Sequence, residues 1–341
     1  MHAPTHTPLM FAFYCHHFVL PLPPEHRFPM DKYRRLYERV RGLEQTGRVR
    51  LREPQPATYE DLLRVHCPDY VARMLEGRAS EAELRRIGFP WSAAMVERSR
   101  RSSGGTIGAL SAALEGEGVA VNLAGGTHHA ARDRGGGYCV FNDSVVAARH
   151  VQARGLADRL LVVDLDVHQG DGTAALCADD PSIHTFSIHA ARNYPAVKPP
   201  SDLDVALPDG TDDAAYLDAL DHHLPRVIAA SRPDAVIYLA GADPFEGDRL
   251  GFLRLSKAGL LERDRRVLDT CRRHGLPLSI SMAGGYAPEV EDIVDIHFAT
   301  VGAALEHWGS ATAARPSRRA CDDPASAPAW AETAPTPSIA S

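Results

Sequence analysis

Short, continuous apolar runs recur along this chain with amphipathic stretches between them, and that alternation limits its possible folds more than any other feature. Runs at residues 119–123, 160–165, 183–188, 235–239 and 278–281 predict strands, and residues 9–14 predict a first one. Helical patterns lie between and after them at residues 143–153, 214–230, 257–274 and 290–307. Further helices are expected at 30–43, 59–64, 70–75 and 91–114, although Gly104, Gly105 and Gly108 weaken the middle of the last. Strands apolar on both faces and separated by helices predict a parallel sheet covered on both sides. A chain of 341 residues, 44% of them hydrophobic, can bury a large core, as one α/β domain or two. No repeat or linker interrupts the alternation. From Ser310 onward the composition turns to Ala, Pro, Ser and Thr with one aromatic, so a disordered tail is expected over 310–341.

The net charge of −7, with acids and bases interspersed, gives no nucleic-acid footprint. Six cysteines (Cys15, Cys67, Cys139, Cys177, Cys271 and Cys321) show no CxxC spacing and read as reduced thiols. The first residues lack a basic region ahead of the apolar run, and His16 and His17 interrupt it, so no signal peptide is expected. No run approaches membrane-spanning length. These features predict a cytoplasmic protein.

Polar groups gather where the apolar runs stop. In "LVVDLDVHQGDGT" (161–173) a buried strand ends in Asp164, Asp166 and His168, at an i, i+2, i+4 spacing that shares one face of a strand. Burying two carboxylates and an imidazole unpaired is costly, and a bound divalent, zinc-like cation would remove the conflict. The alternative is that Asp164 caps a neighbouring element and His168 sits at a rim. "AVIYLAGADPFEGDRLG" (235–251) places Asp243 just past another apolar run, where Asp-Pro taken alone reads as a turn. His128 and His129 follow the run at 119–123, inside "AGGTHHAARDRGGGYCVFND", and Tyr286 follows the last run in "SMAGGYAP". In open parallel sheets, ligand sites lie beyond the carboxyl ends of strands. Unusual polar groups beyond four such ends point to one site.

The segments "GGTHHA", "GGGYCVFND", "VVDLDVHQGDGT", "SIH", "AGADPFEGDRLG" and "GGY", in this order, resemble the histone deacetylase family, and most closely its short bacterial, class IV-like branch. The resemblance spans residues 9–307. It implies a single arginase/deacetylase-fold domain over residues 1–309, with about eight parallel strands flanked by helices. It also implies a zinc-dependent amidohydrolase that removes acyl groups from lysine side chains or related amines. Asp166, His168 and Asp243 match the zinc ligands. His129 matches the general base and acid, oriented by Asp171. His128 matches its partner, bonded to Asp164, and Tyr286 matches the donor to the oxyanion. Gly137 and Tyr138 match a tunnel wall around the acyl-lysine stem. A structural potassium is implied as well, held by oxygens of Asp164, Asp166, His168, Ser187 and Ile188.

Three positions depart from the commoner family pattern. Tyr138 stands where phenylalanine is usual, Gln169 where many members carry a second histidine, and Met282-Ala283 where some have glycines. Residues 189–202 are expected to carry the opposite tunnel wall. His16, His17, His66, His222 and His223 read as surface or packing histidines. Glu246 and Asp248 read as loop or capping groups, and Arg132, Arg134, Arg263, Arg265 and Arg266 as solvated. Cys139 reads as a small buried residue. The substrate is an acylated lysine peptide or protein, or an acylated polyamine or small metabolite; the oligomeric state is not legible. Two competing readings are a ureohydrolase, which needs further carboxylates for two metals, and a non-catalytic acyl-lysine-binding protein, which needs neither His129 nor Tyr286. Removing residues 310–341 is expected to leave melting temperature and turnover almost unchanged; a large drop in either means that the tail docks on the domain.

Overall fold

In a computed structural model, residues 10–23 and 25–309 are described; the tail expected over 310–341 lies outside them. Eight strands are present: β1 (Met10–Phe13), β2 (Val49–Arg52), β3 (Val119–Asn122), β4 (Leu160–Asp164), β5 (Ile183–Ala190), β6 (Leu203–Leu207), β7 (Ala235–Leu239) and β8 (Leu278–Ser281). They form one sheet in the order β2-β1-β3-β8-β7-β4-β5-β6, and every pairing is parallel. Every residue of β3, β4, β7 and β8 is buried. Successive side chains point to opposite faces, so this burial requires helices on both.

The expected strands all form, and two more appear. β2, "VRLR", and β6, "LDVAL", are the edge strands, and both keep part of their length exposed. Charged, half-exposed edges resist pairing with another chain, which is also why they carry no continuous apolar run. The long helix expected over 91–114 runs from Ala93 to Ala112 despite its glycines. Close packing explains two of them: a Cβ on Gly104 would lie 1.8 Å from the Gln55 carbonyl oxygen, and one on Gly105 2.6 Å from Asn122.

The sheet order does what the linear sequence leaves open. β3, β8, β7 and β4 are consecutive neighbours at the centre. The segments after these four strands are therefore brought side by side at one end of the sheet, as expected for a ligand site in an open α/β fold. Asp164, the last residue of β4, lies in register with Leu239 of β7 and with Ser187 of β5.

One assignment is corrected. Arg263, read as solvated, is completely buried. It lies on the helix Lys257–Arg273, whose polar residues otherwise suggest an exposed face. Its Nη1 donates to the carbonyls of Leu165 (3.2 Å) and Gly241 (2.7 Å), and its Nε to Asp264 Oδ1 (2.9 Å). Asp264 also accepts from the hydroxyls of Tyr238 and Thr300. One guanidinium thus ties together the turns that follow β4 and β7. Arg263→Met should lower unfolding free energy by about 3–5 kcal/mol in urea denaturation, because it leaves Asp264 and two carbonyls without their partner. A change near zero would mean that this network does not hold the turns.

Candidate active site

Only Asp164 of the first acidic segment belongs to a strand; Asp166 and His168 lie in the turn beyond β4. Their convergence therefore comes from that turn and not from strand alternation. Backbone amides orient each carboxylate. Asp166 Oδ1 accepts from His168 N (3.0 Å) and its Oδ2 from Gly284 N (2.8 Å), while Asp243 Oδ1 accepts from Val167 N (3.0 Å). His168 Nδ1 stands 3.0 Å from Asp166 Oδ1 and 3.2 Å from Asp243 Oδ2. One ligand atom from each of Asp166, His168 and Asp243 lies within 4.8 Å of the others, and all three residues are buried.

This group demands positive charge. Burial pushes the Asp243 carboxyl up to about 7, and the nearby Asp166 charge adds to that rise. Burial acts to lower the His168 pKa, yet its contacts with Asp166 and Asp243 raise it to about 10. Burial likewise acts to raise Asp166, but the charges of His128 and His168 hold it below the usual carboxylate range. Asp243 Oδ2 is buried without a hydrogen-bond partner. Gly284 faces it so closely that a Cβ there would fall 2.0 Å from that oxygen. An orphaned carboxylate oxygen, a second carboxylate and an imidazole nitrogen in one dry space form a donor set that fits a zinc-like divalent ion.

The adjacent histidines have different partners. His128 Nδ1 bonds Asp164 Oδ2 at 2.7 Å, and His129 Nδ1 bonds Asp171 Oδ1 at 2.6 Å, with the rings 4.0 Å apart. For His128, burial is outweighed by the charges of Asp164 and Asp166, which lift it to about 9. For His129, burial and then the His128 charge lower it to about 4, against the opposing effect of Asp171. A neutral His129 bonded to a carboxylate through Nδ1 carries its proton there, which leaves Nε2 as an acceptor. Gly137, at φ +50°, lets the chain pass this ring: a Cβ would sit 2.5 Å from His129 Cδ2.

Tyr286 lies beyond β8, its ring centroid 6.3 Å from that of His168 and 5.9 Å from that of Tyr138. Its backbone is anchored on both sides. Its N donates to Asp248 Oδ2 (2.6 Å), and its carbonyl accepts from Arg249 Nε (3.0 Å). Asp248 also accepts from Leu250 N and Gly251 N, so its capping role extends to the tyrosine loop. Sequence reasoning missed Lys32, which looks like an exposed residue of an amphipathic helix. It is buried, donates to the carbonyls of Gly285 (3.2 Å) and Ala283 (3.4 Å), and lies 5.4 Å from the Tyr286 ring centre.

Tyr194, within residues 189–202, also went unassigned; its ring meets that of His129 edge-on at 4.8 Å. The departure at Gln169 has a structural use. Its amide donates to the carbonyl of Pro199 (2.7 Å) and to Asp204 Oδ1 (3.0 Å), tying this segment to the turn after β4. Ser187 and Ile188 lie on β5 beside the end of β4, and Ser187 Oγ shares a hydrogen bond with His189 Nδ1 at 2.9 Å. His66 is a packing residue, set between Ala131 O (2.8 Å) and Asn142 N (3.0 Å). A narrow cavity of about 30 Å³ opens among His128, His129, Tyr138, Asp166, Gly284 and Tyr286.

Comparison with known proteins places the chain in a family. An uncharacterized protein of Picosynechococcus sp. is 47% identical over 282 residues, covering 82% of this chain and 93% of that one. Histone deacetylase 2 of Arabidopsis thaliana is 33% identical over 244 residues; the match covers 69% of this chain and 62% of the plant protein's length. The crystal structure of the HDA15 HD domain superposes with a TM-score of 0.72 at 22% identity, covering 87% of this chain and 91% of that one, which supports the fold. The sequence model of the histone deacetylase domain matches residues 26–301, and on that extent of agreement the chain belongs to the histone deacetylase family.

Proposed function

We propose that this chain is a zinc-dependent deacylase that hydrolyses the amide of an acylated lysine or related amine, with residues up to 309 as its catalytic domain. The observation that carries the reading is the buried Asp166–His168–Asp243 group beside a neutral His129. When bound by these three residues, zinc supplies Lewis acidity to the amide carbonyl and acidifies a water towards a pKa of about 7. His129 Nε2 accepts the proton from the attacking water and later returns it to the leaving amine, while Asp171 holds the ring in that tautomer. His128, paired with Asp164, keeps positive charge beside the developing oxyanion. The Tyr286 hydroxyl donates to that oxygen. Gly137, Tyr138 and Tyr194 form the walls around the acyl-lysine stem. The carry-over of potassium to Asp164, Asp166, His168, Ser187 and Ile188 is supported by the register of Asp164 with Ser187. Among the described residues one group of three metal-ligating side chains occurs, which favours a single metal over a ureohydrolase pair.

Asp243→Ala should lose most bound zinc as measured by elemental analysis, together with activity on acetyl-lysine peptides. Full zinc occupancy in that variant would remove Asp243 from the ligand set.

Tyr286→Phe keeps the ring and its packing while deleting one donor. Its kcat should fall by about 10²–10³, because such donors act mainly in the transition state. Zinc content should stay the same, and KM should change little. Normal turnover in a zinc-loaded variant would mean that another group holds the oxyanion.

A further inference from the structure

The space outside the catalytic cavity has an unusual charge. A second cavity of about 280 Å³ is lined by Arg27, Tyr138, Arg249, Leu250 and Tyr286. It shares Tyr138 and Tyr286 with the inner cavity, so it is the vestibule through which a substrate stem enters. Arg249 is fixed there by the backbone: its Nε bonds Tyr286 O at 3.0 Å, and its Nη2 approaches Arg27 O at 3.5 Å. Beside Gly136, the neighbour of Gly137 in the inner cavity's lining, the Tyr194 hydroxyl and the Arg86 stem converge. A Cβ on Gly136 would lie 3.3 Å from the Tyr194 oxygen and 3.6 Å from Arg86 Cγ.

These arginines lack counter-charges. Among the described residues, none of Arg27, Arg86 and Arg249 has a carboxylate at ion-pair distance, and Arg134 reaches only its neighbour Asp133 at 3.2 Å. Some arginines elsewhere are matched, as Arg35 is to Asp31 and Glu291 and Arg101 to Glu53 and Glu97, while others, such as Arg50 and Arg154, stand exposed on the surface without an ion pair among the described residues. Two carboxylates of the site are committed: Asp171 to His129, and Asp248 to three backbone amides. Glu25 and Glu246, exposed neighbours of Arg27 and Arg249 in sequence, make no ion pair among the described residues. Arg27 and Arg249 thus line the outer cavity without a carboxylate at ion-pair distance among the described residues.

We propose that this mouth selects acylated amines whose carrier holds a carboxylate close to the acylated side chain, and that it disfavours polycationic carriers. The inference rests on the deacylase reading for the identity of the stem, and the charge pattern supplies the rest. Arginine presents a planar set of donors suited to carboxylate, and exposed cations also raise the encounter rate with an anionic ligand. The α-carboxylate of free acetyl-lysine and an acidic residue beside it in a peptide share this chemistry. An acylated polyamine brings its remaining ammonium groups against three guanidiniums, and like charges repel.

The test uses the full chain supplied with zinc and acetyl-lysine peptides of equal length flanked by Asp, Gly or Arg. Free acetyl-lysine, its α-amide and acetylputrescine complete the set. At low salt kcat/KM should fall from the Asp-flanked to the Arg-flanked peptide by about tenfold in all, with acetylputrescine at or below the latter. The spread should shrink at high salt and narrow in Arg27→Gln and Arg86→Gln. A preference for free acetyl-lysine over its amide points to the α-carboxylate as the source, and a preference confined to peptides points to side chains. Equal rates across the flanks, or faster turnover of acetylputrescine, overturn the proposal. Calorimetric titration of the same peptides separates the two readings. If nothing is turned over but the Asp-flanked peptide binds more tightly, the deacylase reading fails and this one stands. Equal affinities end this one.

Discussion

Negative charge buried at the ends of neighbouring parallel strands is the constraint on which the rest of this molecule depends. Asp164, Asp166 and Asp243 sit almost without solvent beyond β4 and β7. Each buried carboxylate costs several kcal/mol unless it is paired and hydrogen-bonded. The chain meets that demand with fixed groups. The amides of Val167, His168 and Gly284 occupy some of the oxygens, and the His128 and His168 rings face the carboxylates of Asp164, Asp166 and Asp243. Asp243 Oδ2 accepts no hydrogen bond, and its charged neighbour is His168 Nδ1 at 3.2 Å. Arg263 stiffens the scaffold from beneath, because it bonds the turn after β4 and the turn after β7 at once.

Partner geometry divides chemically identical residues. His128 and His129 are adjacent and both buried, yet the carboxylates around His128 raise its pKa while burial and the His128 charge lower that of His129. His128 feels two carboxylates, Asp164 and Asp166. His129 has only the more exposed Asp171 and stands against the charge of its neighbour. Separating the pKa values of neighbouring groups is how a site obtains an acid and a base from one residue type. The tyrosine opposite is positioned by different means. Asp248 and Arg249 hold the two ends of its peptide unit, and Lys32 holds the carbonyls just before it. Ala283 and Tyr138, on loops at the two sides of the cavity, have φ of 54° and 65°. Left-handed backbone at non-glycine residues costs about 1–3 kcal/mol and persists only where surrounding packing enforces it.

Charge is distributed by depth in the same site. The interior gathers the buried carboxylates of Asp166 and Asp243 around His168, whereas Arg27 and Arg249 line the outer cavity without a carboxylate at ion-pair distance among the described residues. The narrow inner cavity, about 30 Å³, leaves little room beyond the reacting group.

The sequence by itself determined the central strands and the residues at their ends, because a strand buried on both faces must be continuously apolar and a polar cluster stands out against it. Asp166, His168, Asp243, His128, His129 and Tyr286 were legible for that reason, and the ordered motifs tied them to a family. The edge strands β2 and β6 were not, since half-exposed edges carry mixed residues. Lys32, Arg263 and Tyr194 were also hidden. A lysine or arginine on a helix looks solvated whether it faces water or a set of backbone carbonyls, and a tyrosine in an irregular segment has no periodic signature. Tertiary structure alone decided their roles, because each acts on a partner distant in sequence: Lys32 on the loop before Tyr286, Arg263 on two turns from different strands, Tyr194 on His129. The opposite pKa shifts of the two histidines have the same origin, since burial and field depend on the whole neighbourhood and not on local spacing.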